Sequence, residues 1–144
     1  MEKLYLIATI AGQPVAIRAS LVDSVVDLGT LAPVPLAPPH VAGLAALRSN
    51  VLTVICCECS LGISKTTGSV RRAVVVNVDG HHYGLAVGSI EDARVIEEAP
   101  QPIRARLDAG WARVAIGMLE YEGESLLLID PERIVAGADE LLAA

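Results

Sequence analysis

The chain has 144 residues, a mass of 15.0 kDa and a formal net charge of -6, which fits one domain or two very small ones burying roughly two thirds of their extended surface. The acidic balance, with a pI near 4.9, excludes the clustered Lys and Arg with which a protein grips a phosphate backbone, so no nucleic-acid partner is expected. Aromatic residues make up 3% and Phe is absent, which leaves the core to Val, Ile, Leu and Ala and favours strands over large ligand cages.

The opening "MEKLYLIATIAG" is weakly signal-like, but Glu2 offsets Lys3 and the apolar run meets a turn, so a soluble, cytoplasmic chain is expected. "KLYLIATI", "AGQ" and "PVAIR" read as two strands across a tight turn. The 20 residues from Leu28 to Leu47 carry no charge and have the length of a membrane span. Pro33, Pro35, Pro38 and Pro39 remove backbone donors that lipid cannot replace, which rules out membrane insertion by this segment. The prolines enforce extended or turn geometry instead. His40 reads as an exposed loop histidine, and "HVAGLAAL", His40 to Leu47, as a short helical turn with Val41, Leu44 and Leu47 on one side.

"NVLTVIC", Asn50 to Cys56, is an apolar strand, and continuing it places Cys57 and Cys59 on one face with Cys56 and Glu58 on the other. Next, "RRAVVVNV", "DG" and "HHYGLAV" repeat the first hairpin: a shift of 68 positions sets Gly12 on Gly80, Ile10 on Val78, Ile17 on Leu85 and Val22 on Ile90. "ESLLLID", Glu124 to Asp130, echoes the Asn50 strand. Repeated short β runs of this kind suit small barrels. The tail "DPERIVAGADELLAA" predicts a helix with Asp130 as cap, Pro131 at its first position and Ile134, Leu141 and Leu142 along its apolar side, weakened in the middle by Gly137.

Little in this order points to chemistry. Cys56, Cys57 and Cys59 lack the paired spacing of a closed zinc site; as buried thiols they act as small hydrophobes, and a metal or redox role is the competing reading. His81 and His82 face opposite sides of a strand and cannot together hold one ion. No Ser/His/Asp spacing, phosphate-binding glycine loop or paired metal motif is present, so no enzyme activity, cofactor or metal is expected. Arg48 is the one charged residue in the 30 positions between Asp27 and Glu58. It either snorkels to an internal carboxylate or anchors an interface, two readings that composition leaves open.

The order "PVPLAPPHVAGLAALRSNVLTVI" resembles the central signature of CheW-like chemotaxis adaptors, and the resemblance continues through "RRAVVVNVDGHHYGLAV" to "GESLLLIDPERIV". It implies a mainly β fold, two intertwined SH3-like five-stranded β-barrels with short helices and a C-terminal helix. It further implies one domain over 1-144, with pseudo-repeat halves 1-68 and 69-144 whose terminal strands cross between the barrels. The implied work is non-catalytic: coupling the cytoplasmic tip of methyl-accepting chemoreceptors to the regulatory domain of the histidine kinase CheA. Arg48 matches the arginine of the family's Asn-Leu-Arg-Gly element, and the implied partner-binding set is Arg48, Val41, Gly43, Leu44, Leu47, Pro35 and His40. The chain departs from the pattern at Ala46, Ser49, Thr53, Cys56 and Gly88, which raises the alternative of a decoy that binds kinase or adaptor without coupling receptors.

Overall fold

The computed structural model of the protein describes residues 3–47, 50–64 and 72–143, with side chains as far as residue 137. The described residues form ten strands: β1 (Leu4–Ile10), β2 (Gln13–Arg18), β3 (Val22–Asp27), β4 (Val41–Leu47), β5 (Asn50–Cys56), β6 (Arg72–Val78), β7 (His81–Ala86), β8 (Ser89–Val95), β9 (Ala115–Tyr121) and β10 (Glu124–Ile129). Three α-helices accompany them, α1 (Cys57–Ser60), α2 (Ala109–Val114) and α3 (Pro131–Ala143), with a 3-10 turn at Ala19–Leu21.

The strands build two five-stranded sheets, ordered β8-β1-β2-β10-β9 and β3-β6-β7-β5-β4. Both follow one plan. A central hairpin, β1–β2 or β6–β7, joins a second hairpin through a parallel pairing, β2 with β10 or β7 with β5. The fifth strand is exchanged: β3 leaves β2 to pair with β6, and β8 leaves β7 to pair with β1. The two barrels are therefore intertwined.

The turns explain the central hairpins. Ala11 and Gly12 have φ of 52° and 79°, and Asp79 and Gly80 have 52° and 82°. Two consecutive positive values match the right-handed twist of paired strands. The 68-position shift thus holds in register, with Ile10 opposite Gln13 and Val78 opposite His81. Glu122 and Gly123, at 50° and 82°, close the β9–β10 hairpin in the same way.

Strand alternation distributes the apolar residues over three cores. Tyr5, Ile7, Ala16, Leu119, Leu126 and Leu128 fill one barrel, and Ala45, Leu52, Val54 and Val75 fill the other. Their neighbours along the same strands, including Leu6, Ala8, Ile17, Val74, Val76, Leu85 and Leu127, form the core between the barrels. Both faces of β1, β6 and β10 are buried, so these strands read as unbroken apolar runs.

Two expectations are corrected. Val41–Leu47 is strand β4, not a helical turn, because β5 pairs along one side and Ala32 exchanges two 2.8 Å backbone hydrogen bonds with Leu44 on the other. Cys57 and Cys59 lie in helix α1, not on a continued strand. The β5 strand ends at Cys56, whose Sγ accepts a hydrogen bond from the Cys59 amide at 3.3 Å and caps the turn. Asp130 plays the corresponding part at α3, its Oδ1 accepting from the Glu132 amide at 3.0 Å.

Candidate docking surface

The segment from Leu28 to Leu47 lies along the outer strand of the second barrel. Leu28 and Leu31 pack against the core of that barrel, and the Ala32–Leu44 pair fastens the loop to the edge of β4. Gly43 makes the approach possible. With φ at 153° it is buried, and a Cβ there would lie 2.8 Å from the Ala32 carbonyl oxygen.

The residues expected to bind partners separate into different environments. Pro35 is exposed on the loop; Val41, Leu44 and Leu47 are half-buried on β4. Val41 packs against the inter-barrel core and Leu47 against the core of its own barrel, so both are partly committed to the fold. Arg48 lies outside the described residues, as does Ser49; the flanking Leu47 and Asn50 are paired partners.

His40 corrects the expectation of an exposed loop histidine. It is buried, with its Nε2 donating to the Val135 carbonyl at 2.9 Å. The reason lies in α3, which is broken at Gly137 (φ 72°, ψ 170°) and so leaves carbonyls at the end of its first turns without helical partners. The imidazole supplies one donor, while the His40 carbonyl accepts from the Cys56 amide at 2.8 Å. His40 therefore ties the start of β4 to both β5 and α3.

A second polar junction holds the helices together. Ser60, buried on α1, donates to the Ile134 carbonyl at 2.7 Å and accepts from the Arg113 guanidinium at 3.0 Å. Arg113 also donates to the Ser60 carbonyl at 2.7 Å and to the Arg133 carbonyl, and Arg133 answers with a bond to the Arg113 carbonyl at 3.1 Å. These contacts satisfy helix-end groups, a structural task.

Residue-by-residue reading overlooked Val51. It is 67% exposed on β5 and sits directly opposite exposed Ala46, with half-buried Leu44 and Thr53 the next pair along the same face. The signal was present as alternation in "NVLTVIC": Leu52 and Val54 point into the barrel, which leaves Val51 and Thr53 to point out. The outer face of the β4–β5 hairpin is thus a small uncharged patch among the described residues.

Cys56 and Cys57 are buried, whereas Cys59 is half-buried, which corrects the expectation of three buried thiols. Cys57 is fully buried in the inter-barrel core, and burial, reinforced by neighbouring Cys56, Glu58 and Cys59, pushes its thiol far above the ordinary range. Such a thiol is inert as a nucleophile or ligand. Among the described residues no three His, Cys, Asp or Glu side chains converge where they could hold a metal ion, and no helix is long and apolar enough to cross a membrane. A cleft of about 410 Å³, lined in part by Glu98, Gln101, Met118 and Glu120, lies on the other barrel, away from β4.

Comparison with known proteins agrees with this architecture. The CheW-like domain family matches residues 4–139. A curated relative, "Chemotaxis protein CheW" of Rhizobium meliloti (strain 1021), is 28% identical over 107 residues, covering 71% of this chain and 67% of its own. The crystal structure of scaffolding protein TtCheW from Thermoanaerobacter tengcongensis superposes with a TM-score of 0.77 at 22% identity, covering 90% of each chain. The shared fold is the SH3-like barrel pair.

Proposed function

The chain belongs to the CheW-like domain family, and from that premise we propose that it is a non-catalytic adaptor of chemotaxis signalling in the cytoplasm. It joins the regulatory domain of the histidine kinase CheA to the cytoplasmic tip of a methyl-accepting chemoreceptor, acting as one domain over 1-144. The observation that carries the reading is the uncharged outer face of β4–β5, where Ala46 and Val51 are presented to solvent. An uncharged apolar patch, in a stretch of sequence whose one charged residue is Arg48, has the composition of an interface centre. Arg48, Val41, Gly43, Leu44, Leu47, Pro35 and His40 divide the work: Arg48 and Leu44 contact the partner, Pro35 borders the contact, and Val41, Gly43, Leu47 and His40 hold the strand in place.

Co-purification with a chemoreceptor tip or the CheA regulatory domain of the same genome is the expected result, and binding to neither would refute the adaptor role. In the reconstituted receptor–kinase complex the protein should raise kinase activity. Unchanged or falling activity would assign it to the decoy class instead.

A further inference from the structure

We propose that Cys56 and Cys59 are a reversible dithiol switch, closed to an intramolecular disulfide by exchange with a small oxidised thiol such as glutathione disulfide. The inference stands on the junction of β5 and α1 alone and holds whatever partner the protein serves. It describes a modification of the fold, in which no substrate is turned over.

The two residues form a C-x-x-C pair in "CCEC", Cys56 to Cys59. Cys56 ends β5 with extended backbone, φ -79° and ψ 107°, and occupies the cap position of α1, with Cys59 third in the helix. Only the helical residues Cys57 and Glu58 set the spacing between them. Helix geometry then puts the two Cα atoms about 5 Å apart, inside the range of about 4.4 to 6.8 Å that a disulfide bridges. The Cys56 sulfur is already turned over the helix, where its Sγ accepts from the Cys59 amide at 3.3 Å. Helical Cα–Cβ bonds tilt toward the N-terminus, so that of Cys59 leans back toward this sulfur, and rotation about a single χ1 bond closes the gap.

The other pairings are closed off. Cys56 and Cys57 are adjacent, and bridging them strains the peptide between. Cys57 is fully buried in the inter-barrel core, out of reach of an oxidant. Cys59 is the most exposed of the three and therefore reacts first. Its thiolate attacks one sulfur of glutathione disulfide, breaking that S–S bond and releasing one glutathione thiolate. The Cys56 thiolate then attacks the Cys59 sulfur of the mixed disulfide, forms the intramolecular bond and expels the second glutathione. Two electrons pass from the cysteine pair to the glutathione disulfide, and the two cysteine protons end on the two glutathione thiols.

The junction is held on both sides while this happens. The Cys56 amide donates to the His40 carbonyl at 2.8 Å, the Leu61 amide to the Cys57 carbonyl at 3.0 Å, and the Ser60 hydroxyl to the Ile134 carbonyl at 2.7 Å. Oxidation thus replaces a cap hydrogen bond to sulfur with a covalent staple beside the start of β4, and the domain stays folded.

The test equilibrates the full-length protein anaerobically with mixtures of glutathione and glutathione disulfide, quenches with acid and labels the remaining thiols in denaturant. Fragmentation in the mass spectrometer then locates the label. The expected product is a Cys56–Cys59 disulfide with Cys57 labelled, half-formed at an intermediate ratio of the two glutathione species and reopened by excess glutathione. Cys57→Ala should form the same bridge, and Cys56→Ser should stop with glutathione attached to Cys59. Hydrogen exchange of the α1 amides should slow on oxidation. A wild type that keeps three thiols in glutathione disulfide alone, that stops at the mixed disulfide, or whose bridge includes Cys57 would overturn the proposal. So would a bridge that excess glutathione leaves closed, because that is a permanent crosslink and not a switch.

Discussion

Single residues set the local geometry of the candidate surface. Gly137 is constrained twice: its backbone occupies a region that side chains rarely adopt, and a Cβ would lie 2.5 to 2.7 Å from the His40 ring. Gly137→Ala should therefore cost about 2 to 4 kcal/mol in chemical denaturation, combining backbone strain with displacement of a buried ring. Adding His40→Ala relieves the collision but strands the Val135 carbonyl, so the double variant should remain less stable than the wild type. Cys57 makes a pH-dependent contribution. Its folded-state pKa is raised, so its contribution is present in full below the ordinary thiol value of about 8.5 and is lost as pH rises above it, by about 1.4 kcal/mol per unit. Stability measured from pH 7.5 to 10 should fall more steeply for the wild type than for Cys57→Ala. Equal slopes would mean that the thiol ionises freely in place.

At the scale of elements, the two central hairpins show how little sequence identity a repeated turn needs. Asp79-Gly80 is the stronger turn pair and Ala11-Gly12 the weaker, yet both adopt positive φ at both positions. Ala lacks the side-chain hydrogen bonding that lets Asn or Asp settle in that region. Ala11→Asn should consequently stabilise the protein by roughly 0.5 to 1 kcal/mol, read as a higher melting temperature with unchanged partner binding. The same scale accounts for the capping thiol. Cys56 and Asp130 end equivalent strands and cap the following helices, with sulfur replacing a carboxylate in the first and accepting a longer hydrogen bond.

For the molecule as a whole, the core between the barrels makes the two sheets interdependent. Ile17, fully buried there, belongs to one sheet and packs in the same cluster as Val74, Val76 and Leu85 of the other. Ile17→Ala should cost about 3 kcal/mol, the usual scale for an aliphatic cavity. Trp111 provides the check on cooperativity, because it is the single tryptophan of the chain and packs against that shared core. Its fluorescence and the far-ultraviolet circular dichroism should report one coincident transition in wild type and variant alike. Separate transitions would show that each barrel folds alone.

The apolar runs, the glycine-containing turns and the Asp130-Pro131 cap specified strands, hairpins and the last helix by local chemistry alone, since period, turn preference and capping act over a few residues. The same local chemistry misassigned Val41–Leu47 and Cys57–Ser60, where the outcome depended on contacts remote in the chain: Ala32 and β5 along β4, and the end of β5 at the shared core. The exchange of β3 and β8 between barrels and the burial of His40 against Val135 were likewise decided by tertiary structure. A sequence encodes which side chains seek burial or a turn, whereas the partner that satisfies each is chosen only when distant segments compete for the same space.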